Sequence, residues 1–189
     1  MVKPRGEVFE MPSGPADEPT IFPDEFAVLI WYQDKAHRRP IQVHLVVKFI
    51  GMESVSLVYR FKGPDTLGFL IEEMARQRAI IWPKAGAMPA VRWPARSGDP
   101  ADPYAKKPVG YYGLGTDSIF GTLASVSVSA WCPNDRGEDP TELHLRFQAT
   151  DGKWVALVFK NPDAARVFLK ELIACRRHVW PKAERVTLA

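Results

Sequence analysis

The 189-residue sequence predicts an α+β protein made of two copies of a βββα unit. Three observations predict it. Shifted by 98, "FKGPDTLGFLIEEMARQRAIIWPKA" (61–85) lies over "FKNPDAARVFLKELIACRRHVWPKA" (159–183) with 10 of 25 positions identical. Upstream, an offset of 100 pairs Trp31 with Trp131, Pro40 with Pro140, and His44-Leu45 with His144-Leu145. In both copies, segments alternating at period two precede a segment of helical period. A unit of about 60 residues is marginal alone, so the internal duplication is expected to pack as one pseudo-twofold body. Two beads on a string are the alternative. The boundaries read as an acidic N-terminal arm (1–24), a first repeat (25–85), a Pro/Gly-rich basic connection or middle loop (86–123) and a second repeat (124–189).

Each copy opens with an apolar strand ending in Trp, "EFAVLIWY" (25–32) and "ASVSVSAW" (124–131). A polar turn follows, "QDKAHRRP" or "CPNDRGEDP". Two alternating segments come next: "IQVHLVVKFI" (41–50) with "SVSLVYRFK" (54–62), and "TELHLRFQA" (141–149) with "KWVALVFK" (153–160). Their β-branched and aromatic content reads as a hairpin. The offset falls by two between the two segments, which places the length change in the hairpin turn, 51–54 against 150–152.

A helix then starts at Asn161-Pro162-Asp163. Asn caps the first amides, Pro suits the first helical position and Asp complements the positive helix end. Gly63-Pro64-Asp65 is the weaker twin. Leu67, Leu70, Ile71, Met74 and Ile81 share one helical face. Val167, Phe168, Leu172 and Val179 do so in the second copy, with Leu169 and Ile173 widening the stripe. The repeated Trp-Pro-Lys-Ala is a helix stop, because the residue before proline is driven out of helical geometry. Trp82 and Trp180 are expected to plug their own copy's core, with Lys84 and Lys182 near the negative helix ends.

The apolar share of 46% and charged share of 25% are ordinary for a globular protein. No apolar signal core and no run of 18 apolar residues is present, which predicts a cytoplasmic protein with no transmembrane segment. Membrane association would come only through a partner. Cys132 and Cys175 have no zinc-site spacing and read as thiols of a reducing compartment; a single disulfide is the alternative. Net charge is +3, but it is unevenly spread. Residues 1–30 carry −4 and residues 76–107 carry +5.

No phosphate-cradling glycine loop appears; Gly110, Gly113 and Gly115 read as a turn. Ser118, Ser125, Ser127 and Ser129 fit no nucleophile elbow. His44 and His144 sit at equivalent strand positions, which favours a packing or cross-strand role over catalysis. As a metal pair they lack further ligands, so no metal site is assigned. Glu73 and Glu171 read as surface partners of Arg76 and Arg177. No cofactor is expected; Mg²⁺ would enter only with a nuclease or ATPase activity.

Basic and aromatic residues interleave in several stretches, the pattern that single-strand binding requires. Arg76, Arg78, Arg92, Arg96, Lys106, Lys107, Arg176 and Arg177 are the candidate phosphate contacts. Trp93 is the stacking candidate, because it lies outside both repeats. The leading expectation is a binding or regulatory protein acting on DNA, single-stranded in the first instance, or on a DNA-handling complex. A phosphodiester- or nucleotide-hydrolysing enzyme and a protein-partner module without nucleic-acid contact are the alternatives.

The βββα order is similar to that of PUR repeats and the Whirly domain. That likeness implies curved sheets presenting basic and aromatic side chains to a single strand. The chain size, 189 residues and 21.3 kDa, and the Pro-, Arg- and Ala-rich composition resemble the Osa family of plasmid fertility-inhibition proteins. This second resemblance implies inhibition of conjugative T-DNA transfer, a type IV secretion component as partner, and DNase and ATPase activity. It also implies a ParB/sulfiredoxin-like fold, which the βββα reading does not match. No site residue is carried over from it.

Overall fold

A computed structural model describes residues 20–49, 55–92, 99–105, 109–111, 121–132, 139–149 and 152–188. The protein is α+β. In chain order the elements are β1 (Thr20–Ile21), β2 (Glu25–Tyr32), β3 (Pro40–Phe49), β4 (Val55–Phe61) and α1 (Pro64–Ile81). They continue with β5 (Gly110–Tyr111), β6 (Gly121–Trp131), β7 (Glu142–Ala149), β8 (Trp154–Phe159) and α2 (Pro162–Val179). Strands β2, β3 and β4 form one antiparallel set, and β6, β7 and β8 another. A short parallel pairing of Leu57 and Val58 with Gly121 and Thr122 joins them. The full order is β1-β8-β7-β6-β4-β3-β2-β5. Two-residue strands therefore sit at both edges, each pairing in parallel, and they cover backbone groups that would otherwise template association.

The helices form where capping chemistry places them. Asn161 Oδ1 accepts the Ala164 amide at 2.8 Å, whereas Gly63 offers no side-chain cap. A shift of 98 carries Pro64–Ile81 onto Pro162–Val179. Both helices stop at tryptophan. Trp82 (φ −126°, ψ 68°) and Trp180 (φ −126°, ψ 69°) leave helical geometry because proline follows. Strand β6 starts at Gly121, upstream of the expected Ala124, because it reaches back to pair with β4. The hairpin turns at 51–54 and 150–151 lie outside the described residues.

Alternate strand residues face one continuous apolar core. Val28, Ile30, Val43, Leu45, Leu143, Leu145, Val155 and Leu157 meet Leu70, Ile71, Met74, Leu169, Leu172 and Ile173 there. The helices cross over. Helix α1 touches β6 and β7 of the other half, and α2 touches β3 and β2. Trp82 and Trp180 accordingly pack on a shared core and not on a core of their own copy. Phe26 of β2 and Phe159 of β8 lie 6.1 Å apart, although five strand steps separate β2 and β8 in the sheet. A flat sheet would hold them about 24 Å apart at roughly 4.8 Å per strand. The sheet therefore curls around the helix pair.

Two details differ from the sequence reading. Val167 is 56% exposed, because it falls one residue off the apolar stripe that Phe168 and Leu172 continue. Arg177 is not a surface residue: it is buried and pairs with Asp102 (2.6 and 3.1 Å). Through that ion pair the connection docks on α2. Tyr104 reinforces it: its hydroxyl donates to the Pro89 carbonyl at 2.6 Å, and Asp102 Oδ1 accepts its amide at 2.9 Å. Burial pushes the Tyr104 hydroxyl up to about 12, with the Asp102 charge adding. No helix among the described residues is long and apolar enough to cross a membrane.

Candidate nucleic-acid interface

Strand alternation leaves the second face of the curled sheet with a different composition. It carries Trp31, Gln42, His44, Lys48 and Arg60 from the first half, and Trp131, Glu142, His144, Arg146 and Trp154 from the second. None of these side chains belongs to the apolar core. Among the described residues no helix packs on this face, because α1 and α2 both bury their apolar stripes against the other one.

The same arrangement occurs on both halves. Trp31 stacks on His44 with ring centroids 5.6 Å apart and planes 24° apart. Trp131 stacks on His144 at 5.2 Å and 15°. In each case the imidazole Nε2 is held by the residue two positions earlier on the strand. Gln42 Oε1 is 3.0 Å from His44, and Glu142 Oε2 is 2.9 Å from His144. The expected packing role of the two histidines is thus found: each fixes a tryptophan diagonally across a strand pair. Trp131 remains 44% exposed. Burial pushes the His44 ring down to about 4, with repulsion from Arg60 adding, so it is neutral at pH 7.

Cationic groups lie on the same face. Lys48 and Arg60 are exposed on the first half. On the second, the Arg146 guanidinium lies 4.9 Å from the centre of the Trp154 ring, a layered cation–π pair. Burial lowers the Arg146 pKa. An arginine remains charged after such a shift. Ser125, Ser127 and Ser129 add small hydroxyl side chains between them, and Glu142 supplies a carboxylate, which is 3.7 Å from Lys160 Nζ. The face thus offers aromatic rings and cations around the buried residues Val46, Val58 and Ala156, with Glu25 opposite Lys48 and Glu142 as its carboxylates.

The structure divides the residues selected from sequence into three groups. Arg78, Arg176 and Arg177 are 2%, 3% and 3% exposed, so the phosphate-contact expectation is corrected for them. Arg78 donates to the carbonyls of Pro162 (3.1 Å) and Gly86 (2.9 Å), and Arg176 to those of Pro64 (2.9 Å) and Glu184 (2.8 Å). The sequence held the signal. Arg78 is four residues after Met74 and seven after Ile71, and Arg176 is four after Leu172 and seven after Leu169, so both sit on the apolar stripe. Arg76 and Arg92 are at the surface. Arg76 Nε donates to Glu73 at 2.9 Å, the surface pairing expected from sequence, and Arg92 lies 3.8 Å from Asp99. Trp93, Arg96, Lys106 and Lys107 lie outside the described residues. Sequence reasoning missed the sheet face, although Trp31 and Trp131 stand out of phase with the core-facing Ile30 and Tyr32, or Ala130.

Cys132 and Cys175 are free thiols, the second fully buried. Among the described residues no three His, Cys, Asp or Glu side chains converge as a metal site would require. No protein-family model, curated protein or solved structure matches the chain.

Proposed function

We propose that this chain is an internally duplicated single-stranded nucleic-acid-binding protein that acts through the helix-free face of its sheet. The observation that carries the reading is the Trp–His stack repeated on both halves of a face that also carries Lys48, Arg60 and Arg146. Bases of any sequence stack on indoles, and backbone phosphates follow cations, so a curved face offering both binds a strand with little sequence preference. The duplication is supported by the matched helix bounds and by the reciprocal arginine bonds between the helices. A pseudo-twofold body of this kind sets two equivalent stacking positions along one strand.

The test is fluorescence anisotropy with a labelled single-stranded DNA oligomer at low and moderate salt. Binding that weakens steeply as salt rises is the expected result, since each phosphate neutralised releases counterions. Lack of binding even at low salt rejects the reading.

A second reading is favoured by the exposed apolar residues Phe69 (69%) and Val167 (56%), which occupy corresponding positions on α1 and α2. Under it the helices dock on a protein of a DNA-handling or transfer complex, such as a type IV secretion component. Phe69→Asp with Val167→Asp would then abolish complex formation and leave strand binding intact.

A further inference from the structure

The turn after the first long strand differs in sequence between the two halves. In the first half, residues 33–39 border a cleft of about 400 Å³ lined by Gln33, Asp34, Arg38 and Arg39. The turn is tightly held. The Gln33 amide donates to the Arg39 carbonyl at 2.9 Å, the His37 amide to the Asp34 carbonyl at 3.0 Å, and the Arg38 amide to Asp34 Oδ1 at 3.4 Å.

His37 takes a left-handed backbone conformation, φ 54°, and is the one non-glycine residue to do so among the described residues. That conformation is disfavoured for a residue with a Cβ, which crowds the following carbonyl oxygen. The surroundings maintain it. The His37 ring stacks on Tyr32 with centroids 4.7 Å apart and planes 17° apart. The Tyr32 hydroxyl is 3.0 Å from His178 Nε2, and its ring lies so close to Gly110 that a Cβ there would come within 2.2 Å of it.

At the offset of 100, the second half places Gly137 opposite His37, and Glu138 and Asp139 opposite Arg38 and Arg39. The equivalent turn thus has the residue that suits a left-handed position, and the opposite charge. The first turn combines strain with adjacent basic residues, and strain held in place by neighbours marks functional segments. Asp34 takes up part of the Arg38 charge from 3.6 Å, while Arg39 meets no carboxylate among the described residues.

We propose that this cleft is an anion site that takes a phosphate monoester. Two adjacent guanidinium forks and the Gln33 side-chain amide match a dianion with three acceptor oxygens better than a carboxylate with two. The volume admits a ligand of nucleotide size.

Inorganic phosphate, adenosine 5′-monophosphate and adenosine are titrated against the full chain, with the ring signals of His37 followed by NMR. Phosphate and the monophosphate are expected to shift them, and adenosine is not. Arg38→Ala with Arg39→Ala should weaken the response at least about tenfold while the melting temperature stays within about 2 °C, since both side chains are at the surface. A terminally phosphorylated oligomer that binds the cleft more tightly than the mononucleotide makes a strand end the source of the phosphate, and the reverse order makes it a free nucleotide. Unmoved His37 signals in millimolar phosphate overturn the proposal, as does a response that the double arginine variant leaves unchanged.

Discussion

His44 lies against the Trp31 indole and is neutral there, its pKa brought from 6.5 to about 4 by burial and by Arg60. As pH falls below 6.5 the unfolded chain takes up a proton that the folded chain refuses until about 4. Stability present above pH 6.5 is therefore lost between 6.5 and 4. The loss is on the order of 3 kcal/mol, since each tenfold difference in proton affinity is worth roughly 1.4 kcal/mol. Urea midpoints measured from pH 7 to 4.5 should fall less steeply for His44→Gln than for the unmodified chain. Equal slopes would place His44 outside the buried stack. The Asp102–Arg177 pair is buried on both sides, 2% and 3% exposed, and the Arg177 hydrogen bonds hold the Asp102 carboxyl below the usual carboxylate range. Asp102→Ala removes the carboxylate that faces a buried guanidinium and should cost about 3–5 kcal/mol, whereas Asp102→Leu with Arg177→Met should recover most of that. Neither role could be read from charge counting. Asp102 and Arg177 are 75 residues apart, and only the fold brings them together.

At the scale of elements, the sequence was highly informative about strands and helices and silent about how they exchange partners. Period-two alternation located β2, β3, β4, β7 and β8 to within a residue or two, because one face of each strand is apolar throughout. The Asn-Pro-Asp start and Trp-Pro stop located both helices, because capping and proline geometry are local. The crossing of each helix onto the other half's strands is not local. It depends on the reciprocal bonds of Arg78 to Pro162 and of Arg176 to Pro64, which tie each helix to the first turn of its partner. Gly68 makes room for one of them, since a Cβ there would lie 3.2 Å from the Arg176 guanidinium. Arg78 bridges three carbonyls and Arg176 two, a span that a single ammonium cannot make. Arg176→Lys should therefore destabilise nearly as much as Arg176→Met, by about 3 kcal/mol at roughly 1.5 kcal/mol per charged hydrogen bond. Urea unfolding of the two variants checks this; a lysine variant as stable as the unmodified chain would show that charge alone suffices.

At the scale of the molecule, two small sets of three strands share one core and curl around two helices. The pooled core accounts for the stability that a single βββα unit would lack. A helix pair enclosed by the sheet also leaves the outer side chains of β2, β3, β6, β7 and β8 without helical cover among the described residues. Trp31 and Trp131 were legible as a repeated pair. Their placement on that face needed the register, in which Trp31 stands opposite Gln42 and Trp131 opposite Glu142. The central claim is that this face, and not the helix and loop arginines, binds the strand. Anisotropy titration of single-stranded DNA with Trp31→Ala plus Trp131→Ala, against Arg76→Ala plus Arg92→Ala, tests it most directly. The tryptophan pair is expected to weaken binding about 30-fold or more, at roughly 1–3 kcal/mol per lost stack, and the arginine pair to change it less than about threefold. The opposite ranking, in folded variants, would contradict it.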